Sequence, residues 1–190
     1  MRRTVIRAGK FQYARTLKCG MPVFLSGLLA ILTTAAPWET TALDEFVVVG
    51  IAARTSNARE MTADGVIGKQ WQRFMQDGVL GQIDGKADSR ILAVYTNYAS
   101  DKDGEYTFLL GAKVSPHVAI PAGMESRRIP TGRYAVFTSE RGPVAKVVPE
   151  TWKRIWAAPL DRAYRADFEV YDERAADPRN AQVTIYVGLK

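Results

Sequence analysis

The chain has little of the residues from which metal centres and covalent catalytic devices are built. Its 190 residues include one cysteine, Cys19, and one histidine, His117. A single cysteine excludes an intramolecular disulfide, and a zinc site takes several His or Cys ligands. His117 follows Ser115-Pro116 in a predicted loop, whereas a catalytic triad needs its histidine on a rigid framework. We therefore expect no metal site, no cofactor and no catalytic residue of this type.

Excess positive charge is also missing from most of the chain, although the formal net charge is +6. Six basic residues and no acidic ones precede Glu39, so 20 basic and 20 acidic residues cancel from Glu39 onward. Phosphate binding needs a stripe or patch of Lys and Arg, and the neutral region shows none. We expect no direct binding to DNA or RNA.

The N-terminal segment, residues 1–39, differs from the remainder. Residues 1–18 are basic, and an apolar run over Met21–Leu32 follows, in the order found in secretory signal peptides. The run is shorter than the roughly 20 residues of a membrane span, so no stable span is expected. We expect an N-terminal extension over residues 1–39 and a domain over residues 40–190. If residues 1–36 are a signal peptide the protein is exported; otherwise it is cytoplasmic.

The remainder of the chain repeats itself. Tyr106–Lys113 and Val183–Lys190 share Thr, Gly and Lys at an offset of 77 positions and are apolar between them. A helical apolar face with the spacing i, i+4, i+7 and i+8 recurs after 81 positions: Ile67, Trp71, Phe74 and Met75 correspond to Val148, Trp152, Ile155 and Trp156. Chance does not easily give such a match, so an internal duplication is predicted.

Each half is predicted to be a β-α-β-β unit. In the first half the predicted strands are Phe46–Arg54, Ile91–Tyr98 and Glu105–Val114, with a helix within Asp64–Gly78. In the second half they are Gly132–Phe137, Ala166–Tyr171 and Gln182–Gly188, with a helix over Lys146–Ala157 and Pro149 in its first turn. The fold class is therefore α+β, with an antiparallel curved sheet and two helices that flank a central ligand groove.

One acidic residue breaks the internal symmetry. Val94-Tyr95 matches Val170-Tyr171 at an offset of 76 positions, so Glu169 stands where the first half has Ala93. Alternation along the strand leaves two options for this side chain, solvent or the groove. A partly buried carboxylate favours a ligand with positive charge, and aromatic walls suit flat, apolar or cationic ligands. The candidate ligand-binding residues are Glu169, Tyr171, Trp71, Tyr95, Tyr106, Trp152 and Trp156.

Several motifs together resemble the GyrI-like superfamily, and within it the AraC-type effector-binding proteins, including stand-alone and integron-associated versions. They are Phe46–Asn57, Lys69–Phe74, Val94–Tyr98 with Gly104–Tyr106, Ile129–Tyr134, Glu150–Trp152 and Asp167–Tyr171. The resemblance covers residues 40 to 190. It implies a duplicated β-α-β-β domain that binds small organic molecules, often lipophilic cations and drugs, in a central aromatic pocket. It also maps the pocket glutamate of the family onto Glu169.

The resemblance further implies a role like that of a transcription regulator, although the helix-turn-helix module of multidomain relatives is not visible within residues 1–39. The favoured expectation is a stand-alone small-molecule binding protein that is not an enzyme. Two alternatives stay open. One is a hydrolase that opens strained rings with Glu169 as general base. The other is an adaptor or inhibitor that acts on a protein partner, and a homodimer is also compatible with the sequence.

Overall fold

The computed structural model describes residues 38–190, and the predicted signal-like segment with Cys19 lies outside them. One antiparallel sheet of eight strands dominates this part of the chain. The strands are β1 Glu39–Leu43, β2 Phe46–Ser56, β3 Ile91–Thr96, β4 Glu105–Val114, β5 Glu125–Ile129, β6 Gly132–Thr138, β7 Arg162–Tyr171 and β8 Thr184–Leu189. The helices are α1 Asn57–Glu60, α2 Ile67–Gln76, α3 Val79–Gln82 and α4 Val144–Ala157, and Glu173–Ala175 form a 3-10 turn.

The order of the strands in the sheet reflects the internal duplication. The sheet runs β1-β6-β8-β7-β3-β4-β2-β5, so that the first half, β2-α2-β3-β4, and the second half, β6-α4-β7-β8, mirror each other across the centre. The equivalent strands β3 and β7 pair with each other there. The predicted α+β class and the duplicated β-α-β-β arrangement are confirmed.

The central pair of strands fixes an approximate two-fold axis. Ala93 lies directly opposite Glu169 in the β3–β7 ladder. The same two residues are equivalent in the repeat, at an offset of 76 positions. A residue that pairs with its own repeat equivalent lies on the symmetry axis, so this axis passes between Ala93 and Glu169. The acid that breaks the symmetry of the sequence is therefore at the centre of the symmetric fold.

The sheet curls so that its two ends approach each other. β1 and β5 lie at opposite ends of the strand order, yet Asp44-Glu45 alone joins β1 to β2, and Pro130-Thr131 alone joins β5 to β6. Two residues span only a short distance, so the ends must approach each other. Side chains from both ends and from the middle accordingly share one apolar cluster on the concave face, which includes Leu43, Ile129, Leu92 and Phe168.

The helices α2 and α4 cover the other face of the sheet. Phe74 of α2 packs with residues of β2, β3 and β4, and Ile155 of α4 packs with residues of β6 and β8. Gly78, at a φ of 59°, follows α2 and has the left-handed conformation that commonly ends helices. This is the helix stop that the sequence predicts. Each helix thereby holds its apolar face against its own half of the sheet.

The structure adds elements that periodicity does not predict and corrects one detail. β1, β5, α1 and α3 have only four or five residues each, too few to show a clear pattern. α4 begins at Val144, so the prediction that Pro149 lies in the first turn was wrong. The backbone N–H groups of Lys146 and Val147 both donate to the carbonyl of Pro143. These bonds close the first turn of α4 before Pro149.

Candidate functional site

The carboxylate of Glu169 is the centre of the candidate site. It is 1% exposed and lies on the face of β7 that the helices cover. Its Oε1 accepts hydrogen bonds from the Tyr95 hydroxyl at 2.7 Å and from the indole N–H of Trp152 at 2.6 Å. Its Oε2 accepts one from the Tyr171 hydroxyl at 2.6 Å. Of the two orientations open from the sequence, the structure has the buried one.

Among the described residues, no positively charged side chain neutralises this carboxylate. Within residues 38–190, Glu169 forms no ion pair with a Lys or Arg side chain. Burial raises the pKa of Glu169, while the hydrogen bonds from Trp152, Tyr171 and Tyr95 act in the opposite direction. A carboxylate has about four acceptor positions, and three are occupied here. The site therefore retains one acceptor position, and among the described residues no cation compensates the charge that this carboxylate carries when it is ionised.

The two tyrosine donors around Glu169 are related by the two-fold axis. Tyr95 and Tyr171 are repeat equivalents, and they approach the carboxylate from the two sides. Each tyrosine packs against the tryptophan of the opposite half: Trp152 lies 5.1 Å from the ring of Tyr95, and Trp71 lies 4.7 Å from that of Tyr171. Burial and the Glu169 charge raise the pKa of both tyrosines well above the usual value, so both hydroxyls stay protonated as donors.

A cavity of about 670 Å³ opens above this group, between α2 and α4. A volume of this size is typical of sites for drug-sized molecules. All seven residues selected from the sequence border it: Trp71, Tyr95, Tyr106, Trp152, Trp156, Glu169 and Tyr171. The structure thus brings the candidates together, and their role in binding a ligand stays a prediction. Trp156 is 40% exposed, as expected for a residue near the opening.

Sequence reasoning missed a buried ion pair, whose arginine, Arg162, borders the cavity. Arg162 is 7% exposed, and its Nη2 donates to Asp167 Oδ2 at 2.6 Å. Asp167 is fully buried and also accepts from Tyr98 and from the backbone N–H of Gly188. The Nε and Nη1 atoms of Arg162 have no hydrogen-bond partner among the described residues. The guanidinium lies 4.3 Å above the ring of Tyr164, a cation–π contact that compensates part of its burial.

A bulge in β7 explains why this pair escaped prediction. In a regular strand, residues five positions apart point to opposite faces. Here Arg162 pairs with Leu189 and Asp167 pairs with Val187, so β7 has extra residues between the two positions. Tyr164 has a φ of 51°, which is uncommon for a bulky residue and marks the bulge. The bulge turns Arg162 onto the face of Asp167, and no local sequence pattern signals it.

A third polar group holds the first-half side of the cavity. The Glu60 carboxylate accepts hydrogen bonds from the backbone N–H groups of Val66, at 2.9 Å, and Ile67, at 3.1 Å, where α2 begins. Free N–H groups at a helix start favour such an acidic partner. Tyr106 donates to the side chain of Asn57 at 3.1 Å. The two bonds to Glu60 fix the start of α2 and, with it, the position of Trp71.

Comparisons with known proteins agree with this architecture. A family model described as integron-associated effector binding protein matches residues 39–189. YobU of Bacillus subtilis is 40% identical over 153 residues, which are 79% of this chain and 96% of YobU. The name of YobU describes it as a proposed transcriptional regulator.

Solved structures share the fold. An integron cassette protein from the mobile metagenome of Vibrio cholerae superposes with a TM-score of 0.62 at 26% identity, covering 80% of this chain and 95% of that protein. SAV2435 bound to tetraphenylphosphonium superposes with a TM-score of 0.64 at 20% identity, covering 80% and 93%. None of the helices in residues 38–190 has the length and apolar character needed to cross a membrane.

Proposed function

The chain belongs to the family of integron-associated effector-binding proteins, and from this membership we propose that it binds lipophilic or cationic aromatic molecules in the cavity between α2 and α4. Glu169 is the anionic anchor, and the aromatic residues that border the cavity form its walls. The domain then acts as an effector-binding protein of the transcription-regulator type, as the name of YobU suggests for that relative. This role would place it in the cytoplasm.

The observation that carries the proposal is that the Glu169 carboxyl group is buried with no cationic side chain beside it among residues 38–190. Burying an ionised carboxylate costs several kcal/mol after relaxation, and three neutral donors offset only part of that cost. The part of the burial cost that these donors do not offset favours the protonated form and so raises the pKa of Glu169. A ligand cation beside the carboxylate offsets this cost in the bound state. A neutral ligand of the same shape cannot, so the site discriminates by charge.

Two further observations support this choice of ligand class. The cavity is bordered mainly by aromatic and aliphatic side chains, which bind flat apolar surfaces. SAV2435, which has the same fold, has been solved with tetraphenylphosphonium, a lipophilic aromatic cation. The strained-ring hydrolase and the protein adaptor stay open as alternatives.

The test uses two ions of the same shape and opposite charge, tetraphenylphosphonium and tetraphenylborate, titrated by calorimetry at pH 8. The wild type is compared with Glu169→Gln and with a control, Glu140→Gln, which removes an exposed carboxylate that does not border the cavity. We expect Glu169→Gln to weaken phosphonium binding by about 5- to 150-fold, which corresponds to the loss of about 1 to 3 kcal/mol.

In the same titrations the Glu140→Gln protein should match the wild type, and the borate should bind the wild type more weakly than the phosphonium. The preference for the phosphonium should shrink in Glu169→Gln. Equal affinity for the two ions in the wild type, or unchanged phosphonium affinity in Glu169→Gln, would contradict the proposal.

A further inference from the structure

The walls of the cavity consist of matched pairs. Four pairs of repeat equivalents border it, one member from each half: Ile67 with Val148, Gly68 with Pro149, Trp71 with Trp152, and Tyr95 with Tyr171. The first three pairs lie at an offset of 81 positions and the last at 76. The cavity therefore straddles the two-fold axis of the fold.

The cavity has two aromatic corners, and each joins a tryptophan of one half to a tyrosine of the other half. In the first corner, Trp71 meets Tyr171 edge to face, with their planes at 67°. In the second, Trp152 meets Tyr95 at 68°. The two angles and the two centroid distances, 4.7 and 5.1 Å, are nearly the same. The carboxylate of Glu169 lies between the corners and receives a hydroxyl from each.

From this arrangement we infer that the cavity contains two equivalent half-sites for flat aromatic groups, one on each side of a single central anion. The inference rests on the proposed function and defines its ligand class more narrowly. The ligand is a cation whose charged centre carries two aromatic arms. The charge lies at Glu169, and each arm occupies the corner formed by Trp71 or by Trp152.

The two arms contribute to affinity in a characteristic way. Once one arm and the charge are bound, the second arm is held near its own corner, so its binding costs little further translational entropy. A cation with one arm uses one corner and leaves the other empty. Blocking one corner should therefore remove the gain from the second arm and spare the one-armed cation, which still has the other corner.

The chain offers a substitution that adds bulk to one corner. Gly68 borders the cavity in α2, and a Cβ added there meets no atom within 4 Å. Gly68→Leu thus adds a side chain on the first-half wall at a position that is neither Glu169 nor one of its donors, and replacing a helical glycine favours the helix. Gly81→Leu is the matched control, because Gly81 has equally open space in α3 and does not border the cavity.

The experiment titrates the full chain with three quaternary ammonium ions of equal charge. Benzyltrimethylammonium has one aromatic arm, dibenzyldimethylammonium has two, and benzyl(heptyl)dimethylammonium replaces the second ring by a saturated arm of the same carbon count. We expect the two-armed ion to bind the wild type at least about tenfold more tightly than the one-armed ion, because it buries a second ring. It should exceed the heptyl ion by about threefold or more, because aromatic contacts add to area burial.

In Gly68→Leu the one-armed ion should keep its affinity within about twofold, and the two-armed ion should lose its advantage. Gly81→Leu should behave as the wild type. The inference is overturned if the second ring adds nothing in the wild type, if the heptyl arm is as good as the ring, or if Gly68→Leu weakens both ions equally. A failure of all three ions to bind, or binding that Glu169→Gln leaves unchanged, would refute the proposed function itself.

Discussion

Moving the acid across the two-fold axis tests the symmetry of the site. Ala93 and Glu169 face each other in the ladder and are repeat equivalents. In the double variant Ala93→Glu, Glu169→Ala the carboxylate is attached to β3 instead of β7, on the other side of the axis. The composition and volume of the pair are unchanged, and the hydroxyls of Tyr95 and Tyr171 remain on both sides. We expect most of the cation affinity to survive this exchange.

The size of the effect follows from the contacts. The exchanged carboxylate keeps the two tyrosine donors and loses the bond from Trp152, which now lies on the far side of the axis. One hydrogen bond to a charged group contributes about 1.5 to 3 kcal/mol, and part of it returns if Trp71 takes the place of Trp152. The lost bond lowers the stability of the fold, whereas the charge that attracts the ligand remains. Tetraphenylphosphonium affinity should therefore stay within about threefold of the wild type and clearly exceed that of Glu169→Ala, which removes the charge altogether.

The single variant Ala93→Glu completes a double-mutant cycle. Directly opposite residues have Cβ atoms about 5 Å apart, so two carboxylates would meet on the axis. Their repulsion amounts to about 4 kcal/mol at a separation of about 4 Å and an effective dielectric constant of about 20. Urea unfolding at pH 8 should show Ala93→Glu to be strongly destabilised and the double variant to recover most of the loss. A double variant that binds the cation no better than Glu169→Ala would refute the two-fold site.

Two further predictions concern the same carboxylate. Tyr95→Phe and Tyr171→Phe each remove one hydroxyl that donates to Glu169, at 2.7 and 2.6 Å. Each substitution should lower the free energy of unfolding at pH 8 by about 1.5 to 3 kcal/mol, and the two losses should be similar. Clearly unequal losses in urea denaturation would argue against equivalent roles. Burial raises the pKa of Glu169 above its usual 4.5, so Glu169 keeps its proton to higher pH in the folded state than in the unfolded state. The contribution of Glu169 to stability should therefore fall as the pH rises from 4.5 through the raised pKa. Phosphonium affinity should rise over the same interval, and Glu169→Gln should abolish both pH dependences; a stability slope that persists in Glu169→Gln would assign it to other groups.

The sequence is informative about the halves because each half is built from local patterns. The apolar spacing around Trp71 recurs around Trp152, and this recurrence predicts both helices and the duplication. The edge strands β1 and β5 were missed, because their short and mostly polar sequences carry no alternation that a local pattern can detect. Their places depend on pairing with β6 and β2, far away in the chain.

The candidate site shows the same division. Reading the residues was enough to find that the chain is duplicated, that an acid stands at position 169 in one copy only, and that aromatic residues occupy matched positions in both copies. The folded arrangement was needed to find that Ala93 and Glu169 share the axis, that Tyr95 and Tyr171 reach the same carboxylate, and that a bulge turns Arg162 into the cavity wall. Side-chain periodicity is a property of neighbouring residues, whereas the pairing of β3 with β7 is fixed by contacts between distant parts of the chain, which no local pattern encodes.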